Sequence, residues 1–318
     1  MYGASDPAAA ERTAFRRAEK QYKLYKPPNL KGRSRSRSKP AGVDGDDGDL
    51  SAVVDFNALL AADGELPAGI GRRDCAGFDR PVFCFLDRPG FYFIPGALST
   101  EEQCYWIRGS LKTFPQPPNR TNLTAIYGSI SDLFTAAKNQ KILVEVENSD
   151  VQEKEQNKGD GKMESKNFKF VEDSEIQKGE ECRTTRAITL MRKLRWSTLG
   201  LQFDWSKYYG DMLGGHVDDM EADWTKPIVS ISLGCKCIFL LGGKTRDEVP
   251  TAMFLRSGDI VLMAGEARER FHGVPRIFTE SDQQEISALV SQLSGEDDCF
   301  ILHYVKNSRI NINIRQVY

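Results

Sequence analysis

Residues 228–263 read IVSISLGCKCIFLLGGKTRDEVPTAMFLRSGDIVLM, and this stretch decides the fold class. Apolar, partly β-branched runs at Ile228–Leu241, Ala252–Leu255 and Ile260–Met263 are separated by turn signals, Gly242-Gly243 and Arg256–Asp259. Short strands separated by turns at regular spacing are typical of a sandwich or barrel. The stretch therefore predicts a mainly β core.

Further elements are expected on both sides of this stretch. Strands are predicted at Val82–Phe85 and Phe91–Ile94 around an Asp87–Gly90 turn, and at Phe300–Val305 and Arg309–Val317. Ser99 and Glu102 form an S-x-x-E capping box, which predicts a helix through about Lys112.

Composition divides the chain into a folded domain and a flank. The domain is expected over residues 80–318, with polar inserts at about 145–182 and 280–298. Residues 1–50 are expected to form a basic, disordered flank that includes the RS-rich tract Lys31–Lys39. This flank is either a solvated tail, or a nuclear address or phosphate-binding arm.

The overall charge and the cysteines exclude several classes of protein. The 318 residues carry a formal net charge of -2, so the chain has no global field that would attract nucleic acid. No apolar run reaches the roughly 20 residues of a membrane span, and no secretory signal is evident. Seven cysteines without a C-x-x-C pair indicate a reduced intracellular protein, in the nucleus, the cytoplasm or both. Cys235 and Cys237 are expected to be packed thiols on one strand face, and no protein partner is evident.

Two of the three histidines fall in an H-x-D…H pattern formed by His216, Asp218 and His272. Side chains at i and i+2 share one face of a strand, and His272 is far enough along the chain to return on another strand. Two imidazoles and one carboxylate on one face of a metal match the facial triad of non-haem Fe(II) oxygenases. H-x-D also occurs by chance, and a lone histidine is more often packed or solvated.

The C-terminal strand has one polar and one apolar face. Arg309, Asn311, Asn313 and Arg315 share the polar face, and three isoleucines occupy the other. This pattern fits either an edge strand with a wet face or the wall of a polar cavity. In the second case the guanidinium fork suits an organic acid.

Together these features resemble the AlkB family of Fe(II)- and 2-oxoglutarate-dependent nucleic-acid dioxygenases, and most of all the eukaryotic AlkB homologue one branch. The similarity covers roughly residues 80–318 apart from the inserts. The segments that carry it are Leu194–Gly200, Leu213–Asp218, Ser257–Arg276 and Arg309–Arg315.

The resemblance implies a double-stranded β-helix, a jelly-roll core with helices behind one sheet. It implies Fe(II) on His216, Asp218 and His272. It also implies 2-oxoglutarate held by Arg309, Asn311, Arg315 and Tyr209. Trp196 matches an aromatic that stacks on the base, although a core position is an equal alternative, and Glu221 is the candidate for reading the base edge.

The activity implied is oxidative N-demethylation of methylated adenine-type bases in DNA or RNA. It consumes O2 and 2-oxoglutarate and releases formaldehyde, succinate and CO2. The chain departs from the family where Trp205 is followed almost directly by Tyr208, because a stretch of several tens of residues is missing there. Lys207 replaces the family asparagine before the tyrosine pair, and Asn313 replaces a threonine. A non-catalytic nucleic-acid-binding variant and a hydroxylase of other substrates are therefore the alternatives.

Overall fold

The computed structural model describes residues 13–23, 49–62, 64–75, 79–146, 167–175, 184–199, 225–279, 286–295 and 298–316. The chain forms two compact units. The first comprises Met1–Gln103, Tyr208–Ser291 and Tyr304–Tyr318, and the second comprises Cys104–Lys207 and Gln292–His303.

The described helices and strands of the two units are numbered in chain order. The helices are α1 (Ala14–Tyr22), α2 (Phe56–Ala61), α3 (Thr100–Arg108), α4 (Thr124–Tyr127), α5 (Leu133–Lys138), α6 (Ala187–Lys193), α7 (Ser287–Gln292) and α8 (Asp298–Asn307). The strands are β1 (Ile70–Arg73), β2 (Val82–Phe85), β3 (Phe91–Ile94), β4 (Arg120–Thr121), β5 (Ile142–Val146), β6 (Asn167–Val171), β7 (Thr184–Arg186), β8 (Ser197–Thr198), β9 (Ile228–Gly234), β10 (Cys237–Leu241), β11 (Thr251–Leu255), β12 (Ile260–Met263), β13 (His272–Ile277) and β14 (Arg309–Arg315).

The first unit contains two antiparallel sheets. The larger has the order β1-β2-β3-β12-β9-β14 and the smaller has the order β11-β10-β13. From β9 onward the chain passes back and forth between them, which is how a jelly roll is built. The predicted mainly β, jelly-roll core is confirmed.

The core lies between the two sheets. Phe83, Phe93 and Val261 from the larger sheet form one cluster with Phe239 and Met253 from the smaller sheet. All five side chains are buried. Burial of an aromatic or aliphatic side chain contributes about 1.5–3 kcal/mol, so this cluster is the main source of stability for the sheet pair.

The turn between β11 and β12 is the corner at which the chain crosses from one sheet to the other. The buried carboxylate of Asp259 accepts hydrogen bonds from the backbone N–H groups of Gly96 (2.8 Å) and Arg256 (2.7 Å). Burial raises the pKa of Asp259 to about 6 even though these two N–H donors act in the opposite direction. Asp259 therefore ties the corner to the end of β3.

The run 228–241 is divided between the two sheets. Gly234 ends β9 with φ +82°, and a Cβ there would lie 2.5 Å from the carbonyl oxygen of Ser308. Cys235 follows this bend and donates to the Val305 carbonyl at 3.2 Å, whereas Cys237 packs in the core between the sheets. Both thiols are buried, but the expectation that they share one strand face was wrong.

The N-terminal flank differs from the expectation of disorder wherever it is described. Residues 14–22 form α1, with Thr13 Oγ1 accepting from Arg16 N at the helix start. Phe15, fully buried, and Tyr22 pack with Ile238 of the smaller sheet. The apolar positions of this basic segment have helical spacing, and burying them supplies the reason for order.

The folded domain also begins earlier than residue 80. Asp55 caps α2 by accepting from Asn57 N and Ala58 N, both at 3.1 Å. Phe56 is fully buried in the core between the sheets. The Asp55 carboxylate also receives both Nη donors of Arg256 at 2.8 Å, which anchors this segment to the corner.

Several local expectations can be compared directly with the structure. The capping box is confirmed, because Ser99 Oγ accepts from Glu102 N at 3.2 Å and the Glu102 carboxylate accepts from Ser99 N at 2.8 Å. The expected strand at 300–305 was wrong, since these residues lie within α8. The two expected polar inserts contain regular structure: β6 pairs with β5, and α7 lies in the second insert with Leu289 buried.

The second unit carries a three-stranded sheet of order β6-β5-β7 and the short pair β4-β8. α5 and α6 pack within it, with Phe134 and Leu190 buried. Within the described part of the chain, no helix has both the length and the apolar character needed to cross a membrane.

Candidate metal and cosubstrate site

His272 is the candidate metal ligand that the structure describes. It is the first residue of β13, pairs with Leu241 of β10, and is 7% exposed. Its Nδ1 lies 3.2 Å from the carbonyl oxygen of Arg270. Because a carbonyl can only accept, this contact keeps the proton on Nδ1 and the lone pair on Nε2, the form that binds a metal.

A column of aromatic rings fixes the plane of the His272 ring. The rings of His272 and Phe239 are stacked, with centroids 5.9 Å apart at 27°. Phe239 stacks on Phe91 at 6.4 Å, and Phe91 stacks on Phe85 at 5.5 Å. The column crosses the interior from the larger sheet to the smaller one, so His272 faces the space between the sheets.

Arg88 holds the strand end against which His272 is paired. Its Nη1 donates to the carbonyls of Leu241 (2.5 Å) and Gly242 (3.1 Å), and its Nη2 donates to that of Val249 (3.2 Å). Burial lowers the pKa of Arg88. Sequence reasoning saw Arg88 only as part of a turn, because its acceptors lie more than 150 residues away.

The polar face of β14 forms a connected hydrogen-bonded row with β9. Arg309 Nη2 donates to Ser232 Oγ at 2.7 Å and to Asn311 Oδ1 at 2.9 Å. Asn311 Oδ1 also accepts from Ser230 Oγ at 2.8 Å, and Asn311 Nδ2 donates to Asn313 Oδ1 at 2.9 Å. Among the described strands β14 is the last of the larger sheet, and its polar side chains lie on the face of that sheet that also carries Val261 of the core. The alternation of the strand is confirmed, and the polar cavity remains a prediction.

The guanidinium of Arg309 has a donor that can still bind an anion. Its Nε is buried and has no acceptor among the described residues. The same guanidinium acts on the thiol of Cys237, whose pKa is raised by burial and lowered by Arg309, so Arg309 faces the interior. A buried donor without an acceptor costs about 1–3 kcal/mol, which a carboxylate placed against the fork would recover.

The other predicted residues fall into three groups. Arg315 lies at the far end of β14, opposite Ile228, with an exposed side chain. Trp196 lies in the second unit and is half-buried. The positions predicted for the remaining metal, cosubstrate and substrate contacts lie outside the described residues, namely Tyr209, His216, Asp218 and Glu221.

Asn122 orders the chain just before Trp196. Its Oδ1 accepts from Arg195 N at 2.8 Å and its Nδ2 donates to the Lys193 carbonyl at 2.9 Å. On the other side, Ser197 Oγ donates to the Phe114 carbonyl at 2.5 Å. These contacts hold the two neighbours of Trp196, and sequence reasoning had missed the role of Asn122.

Within the described residues no group of three or more His, Cys, Asp or Glu side chains is arranged so that it could hold a metal ion. Two of the three predicted ligands are not among those residues. Two described features therefore fit Fe(II) and 2-oxoglutarate. They are the tautomer of His272 and the buried Nε of Arg309, and both side chains face the space between the sheets.

Comparison with known proteins adds independent evidence. The model of the 2OG-Fe(II) oxygenase superfamily matches residues 90–315. The DNA N(6)-methyladenine demethylase ALKBH1A of Arabidopsis thaliana is 49% identical over 97% of this chain and 97% of its own length. The nucleic acid dioxygenase ALKBH1 of Homo sapiens is 28% identical over 85% and 79% of the two chains. The tRNA demethylase abh1 of Schizosaccharomyces pombe is 26% identical over 85% and 90%.

The alignment with the Arabidopsis relative also contains positions that this chain lacks. It extends over 358 positions, yet 97% of the 318 residues is only about 308. About 50 aligned positions therefore have no counterpart here, in keeping with the short connection before Tyr208. On the family match and the extended 49% identity, the chain belongs to the 2OG-Fe(II) oxygenase superfamily and, within it, to the AlkB family.

Proposed function

We propose that this protein is an oxidative demethylase of methylated adenine-type bases in nucleic acid. The observation that carries the proposal is that the interior holds both a side chain suited to a metal and a side chain suited to a carboxylate. His272 presents an imidazole whose Nδ1 is committed to a carbonyl, and Arg309 presents a buried donor suited to a carboxylate.

Fe(II) would be held by His272 with His216 and Asp218. The far carboxylate of 2-oxoglutarate would meet Arg309, with Asn311, Arg315 and Tyr209 completing that end of the site. When bound, Fe(II) and 2-oxoglutarate would together supply the activation of O2. One oxygen atom ends in succinate and the other on the methyl group of the substrate. The hydroxylated methyl group then leaves as formaldehyde.

The described residues contribute placement and exclusion of water. Phe239 and Phe91 close the side of the site behind His272 with apolar rings, which disfavours water at that position. Ser232 and Asn311 fix the Arg309 fork before the cosubstrate arrives, which reduces the entropy lost on binding.

The substrate class is supported by the relatives, whose names specify DNA N(6)-methyladenine, nucleic acid and tRNA. Trp196 would stack on an unpaired methylated base and Glu221 would read its edge. We place the protein inside the cell, in the nucleus, the cytoplasm or both, on the basis of its cysteine usage.

The test is demethylation of a single-stranded oligonucleotide that carries one N6-methyladenine, made as DNA and as RNA. Formaldehyde and the unmethylated base are expected in equal amounts, dependent on Fe(II) and 2-oxoglutarate, and absent with His216→Ala. Consumption of 2-oxoglutarate while both oligonucleotides keep their methyl group would contradict the proposal, and would favour a hydroxylase of other substrates.

A second candidate function is a nucleic-acid-binding protein without turnover. It is favoured by the short connection between Trp205 and Tyr208, by the roughly 50 aligned positions without a counterpart in this chain, and by Lys207 in place of the family asparagine. This alternative predicts salt-dependent binding of the same oligonucleotides and no formaldehyde. Turnover that disappears in His216→Ala would exclude it.

A further inference from the structure

We propose that Asn122 is a positioning residue, which holds Trp196 in place for stacking on the substrate base without touching the base itself. The inference deepens the proposed function and rests on it in one respect, namely that Trp196 contacts an unpaired base. Asn122, Trp196 and the residues that connect them all belong to the second unit.

Both ends of the Asn122 side-chain amide bind the backbone just before Trp196. Oδ1 accepts from Arg195 N at 2.8 Å, and Nδ2 donates to the Lys193 carbonyl at 2.9 Å. Lys193 is the last residue of α6, so the second bond satisfies one of the carbonyls that a helix leaves open at its C-terminus. One side chain therefore sets both the end of α6 and the path by which the chain enters Trp196.

The backbone is also held just after Trp196. Ser197 Oγ donates to the Phe114 carbonyl at 2.5 Å, and Ser197 pairs with Thr121 in the antiparallel pair of β4 and β8. This register places Asn122, the residue after Thr121, across from Trp196. Because the rotamers open to a side chain depend on its own backbone angles, contacts on both sides of Trp196 restrict the direction of its ring.

The turn that carries Asn122 is fixed in its own right. Thr121 N donates to Thr124 Oγ1 at 3.0 Å, and Leu123 N donates to Thr121 Oγ1 at 3.2 Å. Thr121 and Leu123, the two neighbours of Asn122, are both buried. Asn122 is therefore ordered before any substrate arrives, which reduces the entropy lost on binding.

The surroundings of Trp196 suit a strand of nucleic acid. Residues 109–131 and 184–199, the two described segments that meet at Asn122, contain no aspartate or glutamate, and Asp132 is the first carboxylate after them. A phosphodiester strand would thus meet no carboxylate from these segments. Trp196 is half-buried, and an aromatic ring held in such surroundings is the usual platform for an unpaired base.

A purely structural role for Asn122 is the alternative, in which its amide only caps α6. Both roles predict that removing the amide destabilises the protein. Only the positioning role predicts that the effect of removing Asn122 on substrate affinity depends on the presence of the Trp196 ring. A double-mutant cycle measures this dependence.

The experiment compares the parent with Asn122→Ala, Trp196→Ala and the double variant. The affinity of each full-length protein for a single-stranded DNA oligonucleotide with one N6-methyladenine is measured by fluorescence anisotropy without Fe(II), so that no turnover occurs. The midpoint of thermal unfolding confirms that each variant is folded. Asn122→Asp is the milder variant, because it keeps an acceptor for Arg195 N and its added charge affects both backgrounds equally.

The matched control is Asn119→Ala. Asn119 lies three residues before Asn122, and its Nδ2 donates to the Phe114 carbonyl at 3.1 Å. Like Asn122→Ala, this change removes an amide that binds a backbone carbonyl in the second unit, but that carbonyl lies outside residues 193–198. Asn119→Ala should therefore change the affinity equally with and without the Trp196 ring.

Trp196→Ala should weaken binding about five- to 140-fold, which corresponds to the roughly 1–3 kcal/mol of one base–aromatic stack. Asn122→Ala should cost at least about twofold more affinity in the parent than in Trp196→Ala, since residues of one network are coupled by about 0.5 kcal/mol or more. The corresponding difference for Asn122→Asp should be smaller.

An equal loss from Asn122→Ala in both backgrounds would overturn the positioning role and leave Asn122 as a cap of α6. An unchanged affinity in Trp196→Ala would overturn this inference together with the stacking role of Trp196, whereas release of formaldehyde by the parent would still support the demethylase. A parent that binds no oligonucleotide would overturn both this inference and nucleic acid as the substrate.

Discussion

Replacing Phe239 with leucine should weaken metal binding without unfolding the protein. The ring of Phe239 stacks on that of His272 at a centroid distance of 5.9 Å and 27°. Leucine retains most of the buried apolar volume but provides no ring. A stacked aromatic pair contributes about 0.5–1.5 kcal/mol beyond the area it buries. At about 1.4 kcal/mol per factor of ten, metal affinity should fall about two- to twelvefold.

The control for this prediction is Phe91→Leu. Phe91 is fully buried in the same column, but its ring stacks on Phe239 at 6.4 Å and so acts one ring further from the histidine. Anaerobic titration with Fe(II) at saturating 2-oxoglutarate measures the affinity, and urea unfolding measures the stability of each variant. Equal metal affinity in Phe239→Leu and the parent would refute the reasoning. So would an equal loss in both variants.

Three further predictions concern the N-terminal helix, the cosubstrate and pH. Phe15→Ala should lower the free energy of unfolding in urea by about 3–5 kcal/mol, because it empties a fully buried position, whereas the exposed Gln21→Ala should change it by less than about 0.5 kcal/mol; equal effects would mean that α1 is not docked. Arg309→Lys keeps the charge but loses the fork, so 2-oxoglutarate affinity should fall about tenfold or more by calorimetric titration, and an unchanged affinity would remove Arg309 from the site. Because the pKa of Asp259 is raised from 3.8 to about 6, the folded state binds this proton more tightly than the unfolded chain does. The resulting stabilisation is complete below the lower value and is lost as pH rises through the upper one. The unfolding free energy of the parent relative to Asp259→Asn should therefore fall by about 2.4 kcal/mol between pH 4 and pH 7, and a difference independent of pH would show that Asp259 keeps an ordinary pKa.

The β core was predictable because its signals are local. Strands bounded by Gly-rich and Pro-containing turns were identified correctly around residues 87–90 and 256–259. What the local pattern could not specify was the sheet to which each strand belongs. The corner at Asp259 depends on its contact with Gly96, far away in the chain.

The errors share one physical cause, which is that burial is decided by distant partners. The apolar run 300–305 has no clear period, and it lies in a helix whose first residue, Asp298, accepts two hydrogen bonds from the Arg108 fork. α1 was hidden by its charge, since Phe15 and Tyr22 find their apolar surface on strands more than 200 residues away.

The candidate site divides in the same way. The polar face that begins at Arg309 was predicted from the period of two, and His272 was singled out by the H-x-D…H pattern, while their roles remain predictions. Their supports were not predicted, because Arg88 and Phe239 act through contacts that no short stretch of sequence reveals.

The most direct test of the account is anaerobic titration of the full chain with Fe(II) and 2-oxoglutarate, followed by the visible charge-transfer band between metal and cosubstrate. The account predicts a band in the parent that is lost in His216→Ala, His272→Ala and Arg309→Ala, with each variant folded by circular dichroism. A folded parent without a band, or a band that persists in His272→Ala, would contradict it.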